Sequence, residues 1–186
     1  MNISLKELLN DPKLKIQIYC DLDGVLVNMD KGFEKISGGY TPKTYKNAPQ
    51  FAGNEQAARK DFWKLIARYP RFWHDLEPMP DAQVLWKYLS ETFPDPAPVI
   101  LSAGQGGAIL AGKTEWVRRE ISKTAKIFLS PSGPRKPEFI IPAPNTTNVL
   151  IDDTQKCIDA WNNGSDRIAI LHKNAAETIR LLNDIK

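Results

Sequence analysis

Cysteine and histidine are both scarce in this chain of 186 residues, which contains two of each. Cys20 and Cys157 lack the close spacing of a metal-binding pair, so the sequence predicts two buried thiols in a reducing compartment. His74 and His172 are too few for a histidine-rich metal site. A zinc-type centre built from cysteine or histidine ligands is therefore not expected.

The chain also lacks a large excess of either charge, because 25 Lys and Arg residues face 22 Asp and Glu residues, a net charge of +3. The basic residues are scattered, which argues against an extended nucleic-acid surface but leaves a short oligonucleotide end open. Apolar runs are no longer than a strand, and the first seven residues lack a signal-peptide pattern. We therefore expect no membrane association and a cytoplasmic protein, with a homodimer left open.

Five short apolar or β-branched runs bounded by turn residues predict five strands. They lie at 15–20, 98–101, 125–129, 148–151 and 167–171. Helical stretches are expected at 113–122, 154–162 and 175–185, and a capping-box pattern at Ser4 and Glu7 predicts a short lead helix. Strands that alternate with helices predict an α/β fold, a three-layer Rossmann-like parallel sheet.

The interval 28–98 contains no convincing strand. Phe33 and Ile36 indicate one short helix, and a third helix is expected at 81–91. The second is indicated by apolar residues at helical spacing: Ala58, Phe62, Leu65, Ile66 and Tyr69. We predict a small helical cap at 28–78, inserted after the first strand of a core domain formed by 1–27 and 79–186. Prolines crowd 130–147, where a long irregular loop is expected, and the run 104–112 is interpreted as a hinge or as a source of backbone amides.

A pair of carboxylates follows the first strand, at Asp21 and Asp23. In an extended segment residues two apart point to the same side, so both face one region at the carboxyl end of the strand. Ligands of open α/β sheets bind at that end. Two acids desolvated together need a cation or a shared proton. An ordinary Asp-Gly turn is the alternative interpretation.

Three further polar groups follow later strands. Ser102 follows the second strand, Lys136 lies in the proline-rich loop, and Asp152 and Asp153 end the fourth strand. Parallel strands bring these groups to one rim, where they match the needs of phosphoryl transfer: a metal, hydrogen-bond donors and a nucleophile. The alternatives are a capping role for Ser102, a helix N-cap at 152–153, and Lys113 or Lys126 in place of Lys136.

The order and spacing of these groups resemble the haloacid dehalogenase-like (HAD) hydrolase superfamily across residues 16–153. The resemblance implies that Asp21 attacks phosphorus and forms an aspartyl-phosphate. Asp23 would protonate the leaving alkoxide and then accept a proton from water. Ser102 would hydrogen-bond the transferring group, and Lys136 would neutralise its charge. Ion-pumping ATPases of the superfamily lack an acid at the place of Asp23, so its presence implies hydrolysis of a phosphomonoester.

The same resemblance implies Mg²⁺ as the cofactor, held by oxygen ligands. Its ligands would be Asp21, the backbone carbonyl of Asp23 and one of Asp152 and Asp153, with Asp153 favoured as the direct ligand. Gly24 would permit the sharp turn that brings the backbone close to the phosphate.

Within the superfamily the chain is most similar to the 5'(3')-deoxyribonucleotidases, through segments 21–26, 71–82 and 113–117. That likeness implies a (deoxy)nucleoside monophosphate as substrate, with a nucleobase held by cap aromatics drawn from Phe33, Phe62, Trp63, Phe72 and Trp73. The implied substrate-binding residues are Gly24, Ala103, Gly104, Lys113, Trp63, Phe72 and Trp73. Phe62 shares its helical stripe with Leu65 and Ile66, so a core position is the alternative for it.

Other functions remain open alternatives. A sugar phosphate or a nucleic-acid 3'-phosphate end would keep the chemistry and change the substrate. A signalling receiver domain also combines acids, a hydroxyl and a lysine on a parallel sheet, but it carries the phosphorylated aspartate after its third strand. Here the Asp-x-Asp pair comes first. A non-catalytic binding module is disfavoured because every motif residue is present.

Overall fold

The computed structural model describes residues 14–185, and its centre is a five-stranded sheet in which every pairing is parallel. The strands are β1 (Lys15–Cys20), β2 (Val99–Ala103), β3 (Ile127–Ser130), β4 (Thr146–Asp152) and β5 (Arg167–Leu171). Their order in the sheet is β3-β2-β1-β4-β5. This order is that of a doubly wound sheet, and the predicted α/β fold class is confirmed. The capping-box helix predicted at Ser4 and Glu7 lies outside the described residues.

Both faces of the sheet are buried, which explains why its strands read as nearly continuous apolar runs. Tyr19, Leu101 and Leu150 pack with Trp161 on one face. Their neighbours along the strands, such as Ile18 and Ile100, belong to the larger core on the opposite face. This alternation makes a three-layer structure, with β1 and β4 in its centre.

Six α-helices lie within residues 14–185: α1 (Met29–Ser37), α2 (Glu55–Ala67), α3 (Ala82–Thr92), α4 (Gly107–Glu120), α5 (Gln155–Trp161) and α6 (Ala175–Ile185). The sequence pattern locates all six to within a few residues, except at the start of α4. That helix begins at Gly107, whereas a hinge was expected over 104–112. The glycines hide its start because glycine has a low helix propensity. Gly106, with φ of 96°, makes the turn into it.

The segment between β1 and α3 is organised around aromatic rings. Phe33 of α1 is fully buried and lies 5.0 Å from Tyr45 and 4.6 Å from Phe62, ring centroid to centroid. The side chains of Asn28 and Asn54 cap α1 and α2 by accepting from backbone amides three residues on. Phe33 and Phe62 thus pack in this cluster. The division of the chain at residues 28 and 78 stays a prediction.

The proline-rich segment is more regular than its sequence suggests. Residues Gly133–Phe139 form a 3₁₀-helix that carries Lys136, so the expectation of an irregular loop over 130–147 was wrong for this part. Proline at the first turn of a helix removes no hydrogen bond, and its fixed φ suits 3₁₀ geometry. The hydroxyl of Tyr19 then accepts the backbone N–H of Ile141 at 2.8 Å, which fixes the end of the segment.

No helix within the described residues 14–185 combines the length and the apolar character that crossing a membrane would require.

We predict that Trp161→Ala destabilises the fold by about 3–5 kcal/mol, because the side chain is fully buried and its removal leaves a large cavity. The variant also loses the tilted ring contact with Tyr19, at 5.2 Å between ring centroids, and the hydrogen bond to the Asn148 carbonyl, at 3.1 Å. Urea unfolding measures the effect. Val84→Ala, at a residue 60% exposed, is the control and should stay within about 0.5 kcal/mol of the wild type. A similar loss in both variants would contradict the prediction.

Candidate active site

The carboxyl ends of β1 and β4 bring three acids together. Asp21, Asp152 and Asp153 each offer a carboxylate oxygen, and these oxygens all lie within 4.8 Å of one another. β1 and β4 are adjacent parallel strands, with Cys20 in register with Ile151. Asp21 and Asp152, the next residues along the two strands, therefore lie side by side. The strand register therefore makes neighbours of acids that are about 130 residues apart in sequence.

Asp21 is 6% exposed and is held by two donors. Its Oδ1 accepts the backbone N–H of Leu22 at 2.7 Å and lies 2.9 Å from Nζ of Lys136. Burial raises the pKa of Asp21 to about 8, Lys136 opposes that rise, and Asp152 and Asp23 add to it. The protein groups alone therefore leave the charged form of Asp21 incompletely stabilised.

Lys136 lies between two acids and is only 1% exposed. Its Nζ donates to Oδ2 of Asp152 at 2.5 Å and forms the ion pair with Asp21. Burial by itself lowers the pKa of Lys136, but Asp21 and Asp152 outweigh it and raise the pKa well above its usual value. The lysine is consequently a permanent cation at the rim of the sheet.

The two acids after β4 differ in their surroundings. Asp152 is fully buried, and both of its oxygens are engaged, by Lys136 and by the backbone N–H of Thr154 at 2.9 Å. The side chain of Asp153 is 26% exposed, and its Oδ2 is 4.0 Å from Nζ of Lys43. Burial, and then the charge of Asp152, raise the pKa of Asp153. Asp153 has the freer oxygen of the two.

A second buried lysine, Lys113 of α4, holds the other acid of the Asp-x-Asp pair. Its Nζ donates to Oδ2 of Asp23 at 2.5 Å, to Oγ of Ser102 at 2.8 Å and to the Ala103 carbonyl at 3.0 Å. The same Nζ lies 4.3 Å from the ring centroid of Trp73. The site thus contains both Lys136 and Lys113.

Lys126, the third lysine considered from the sequence, precedes β3 at the opposite end of the strand from Ser130. It does not meet the acids.

Ser102 lies fully buried near the end of β2 beside Asp23, with 3.5 Å between its Oγ and Asp23 Oδ2. It is not the cap of the following helix, whose N-cap is Gly106. The other oxygen of Asp23, Oδ1, is buried and has no hydrogen-bond partner among the described residues. An orphaned carboxylate oxygen of this kind is expected where a proton or a ligand is to be received.

Gly24 is required by the geometry. Its φ is 80°, and a Cβ at this position would lie 2.5 Å from Oδ2 of Asp153. Any other residue would be strained and would displace that carboxylate. The turn after Asp23 is therefore tight enough to bring the backbone of the first loop against the acids of β4.

A cavity of about 550 Å³ adjoins these groups. It is lined by Ala103 at the end of β2, by the following Gly104, and by Arg59 and Trp63 of α2. Trp63 is 42% exposed, whereas Phe72 and Trp73 are each 6% exposed and pack within the core. Of the three aromatic residues predicted to bind substrate, Trp63 is therefore the one that lines this cavity.

Neither Arg59 nor Lys43 is predicted from the sequence. Arg59 lies four residues before Trp63, which places the two side chains on one face of α2. That spacing is the one signal that could have identified Arg59. Lys43 lies in an irregular stretch, where no periodicity indicates the direction of its side chain.

The donor set fits a hard divalent cation such as Mg²⁺. Four carboxylates meet two buried lysines, which leaves two negative charges when every group is ionised. Burial is the main cause of the raised pKa values of Asp21 and Asp153, and the charges of neighbouring acids add to both. All the available ligand atoms are oxygens, which Mg²⁺ prefers. Asp23 is not part of the carboxylate cluster found among the described residues.

No family model and no curated protein matches the sequence. Among solved structures, the chain is similar to a crystal structure described as a HAD hydrolase, family IA, variant 3, from Entamoeba histolytica HM-1:IMSS, at 13% identity. The match covers 90% of this chain and 89% of the other, with a TM-score of 0.46. The fold assignment rests on the strand order and register given above.

We predict that, with divalent cations removed, Asp21 lowers the free energy of unfolding as the pH rises from about 4 to about 8. The folded protein keeps the Asp21 proton up to a pKa of about 8, whereas the unfolded chain releases it near roughly 3.9. Between these values the folded state binds more protons, so a rising pH removes this contribution. Asp21→Asn should flatten that part of the profile, measured by urea unfolding at several pH values in EDTA.

Glu91→Gln, at an exposed acid on α3, provides the control for that measurement and should leave the profile of the wild type unchanged. An equally steep fall in the wild type and in Asp21→Asn would contradict the prediction.

Proposed function

We propose that this protein is a Mg²⁺-dependent phosphomonoesterase of the HAD type that works through an aspartyl-phosphate at Asp21. The observation that supports this most is the convergence of Asp21, Asp152 and Asp153 within 4.8 Å, with the buried Lys136 against two of them. A nucleophilic carboxylate, an oxygen-ligand cation site and a fixed lysine are the parts that phosphoryl transfer requires. Bound Mg²⁺ would be held by Asp21, Asp153 and the Asp23 carbonyl, and would supply positive charge for the phosphate oxygens.

In the first step an oxygen of Asp21 attacks phosphorus, and the bond from phosphorus to the ester oxygen breaks. Asp23, two residues along the same loop, gives its proton to the departing alkoxide. In the second step Asp23 takes a proton from water, the water oxygen attacks phosphorus, and the acyl-phosphate bond breaks to restore Asp21. Lys136 and Ser102 stabilise the charge of the transferring group.

Lys113 controls Asp23 in this scheme. Its ammonium group is hydrogen-bonded to the Asp23 carboxylate at 2.5 Å and to Oγ of Ser102 at 2.8 Å, which fixes the direction of that carboxylate. In this proposal Lys113 and Ser102 together hold Asp23 in place for proton transfer to the leaving group.

The proposed substrate is a (deoxy)nucleoside monophosphate. The exposed ring of Trp63 faces the cavity beside the acids, and stacking of a base on such a ring contributes roughly 1–3 kcal/mol. The enclosing helices at 28–78 act as the cap in this proposal.

We expect Asp21→Asn to lower phosphate release from nucleoside monophosphates by about a thousandfold or more, because the amide is no longer a nucleophile. The measurement is inorganic phosphate release with Mg²⁺ from a panel of nucleotides, sugar phosphates and 3'-phosphorylated oligonucleotides, repeated in EDTA. EDTA should abolish activity, and Mg²⁺ should restore it. Asp30→Asn, at an exposed acid on α1, is the matched control. Equal rates in the wild type and in Asp21→Asn would overturn the mechanism.

Lys113→Met is expected to slow hydrolysis of a nucleoside monophosphate by about a hundredfold, because Asp23 loses the hydrogen bond that positions it for proton transfer. The loss should be much smaller for p-nitrophenyl phosphate, whose leaving group departs without a proton. Comparing kcat for the two substrates separates this role from a merely structural one. Lys126→Met removes a distant lysine and should change neither rate, whereas equal losses on both substrates in Lys113→Met would contradict the role given to Lys113.

A further inference from the structure

The cavity lies against the end of β2, which carries Ser102, and against the start of the 3₁₀-helix that carries Lys136. Ala103, whose carbonyl accepts from Lys113, lines it on one side. Ser132 and Gly133, at the start of the 3₁₀-helix that carries Lys136, line it on the other. A phosphomonoester bound at Asp21 would therefore extend its leaving group into this space of about 550 Å³.

The charge of this cavity is unbalanced. Arg59 is the one charged side chain among its lining residues in the described part of the chain. The rest of the lining is apolar, glycine or neutral polar, such as Ile109, Gln105 and Pro134. Since no acid lines the cavity, its electrostatic complement is an anion.

Arg59 also lacks a partner within residues 14–185. Glu55 lies one turn before Arg59 on α2, at the spacing where an acid can pair with an arginine. However, Glu55 forms its ion pair with Lys46, at 2.6 Å. Other arginines are satisfied locally, as Arg71 is by Asp75 at 2.9 Å and Arg135 is by Glu138 at 2.7 Å. The guanidinium of Arg59 keeps its hydrogen-bond donors available to the cavity.

We infer that the substrate is a phosphomonoester whose leaving group carries a second anionic group, which Arg59 binds beside Trp63. This inference rests on the proposed function and narrows it from monophosphates to doubly anionic esters. A guanidinium binds phosphate and carboxylate equally well, through two parallel N–H donors. The shared chemistry is thus a second oxyanion attached to a ring-containing leaving group.

The test compares matched substrates with Mg²⁺: 4-carboxyphenyl phosphate against phenyl phosphate, and adenosine 3',5'-bisphosphate against adenosine 5'-monophosphate. In the wild type, kcat/KM should be about tenfold higher for the doubly anionic member of at least one pair. The pair that shows the preference identifies the second anion as carboxylate or phosphate. Arg59→Gln should reduce the ratio to near one, and Arg59→Lys should retain part of it.

Lys60→Gln is the matched control, because it removes the same charge from the next position of α2 outside the cavity lining. Three results would overturn the inference and leave the phosphatase proposal intact. The first is a wild-type ratio of kcat/KM values near one in both pairs. The others are a ratio that is unchanged in Arg59→Gln, or one that Lys60→Gln lowers as much as Arg59→Gln does. If the wild type hydrolyses none of the four esters, the proposed function fails. Calorimetry of the binding of the same esters then tests the role of Arg59. Tighter binding of the doubly anionic esters that is lost in Arg59→Gln supports this role, and equal binding of both members of each pair overturns it.

Discussion

The structure depends on one buried ion pair network, in which Lys136 lies between Asp21 and Asp152. Charges removed from water are destabilising unless their partners are held in place. Here the partners come from the ends of two central strands, and the lysine comes from a short 3₁₀-helix. Gly133 begins that helix, and a Cβ there would collide with Sγ of Cys157 on α5. Close packing of the 3₁₀-helix against α5 is thus what delivers Lys136 to the acids.

The two lysines divide the acids into groups with different tasks. Lys136 pairs with both Asp21 and Asp152, while Lys113 holds Asp23 together with Ser102. Asp153 is left outside both groups, with a raised pKa and a freer oxygen. A divalent cation between Asp21 and Asp153 would complete the balance of charge. The proposed nucleophile and the proposed proton donor thus pair with different lysines although they are two residues apart.

Sequence reasoning located the sheet because buried parallel strands are apolar runs and because the acids follow those runs directly. It missed features that depend on local backbone geometry. The 3₁₀-helix at 133–139 was hidden by its prolines, and the first turn of α4 was hidden by its glycines. The sequence leaves Lys113 and Lys136 as alternatives, since it does not show that an α-helix and a 3₁₀-helix each deliver a lysine to a different acid of the Asp-x-Asp pair. The free guanidinium of Arg59 becomes visible only after Glu55 is seen paired with Lys46.

The structure separates the groups proposed for chemistry from those proposed for substrate selection. The acids and both lysines are fixed by strand ends and by close packing, and Trp73 covers Lys113 from within the core. Arg59 and Trp63 lie on an exposed face of α2, where they make few demands on the fold. Changes on that face would alter which leaving group is accepted without disturbing the balance of charge around Asp21. A side chain at Gly24 or Gly133 would instead disturb the groups proposed for chemistry, because it would displace an element that positions an acid or a lysine.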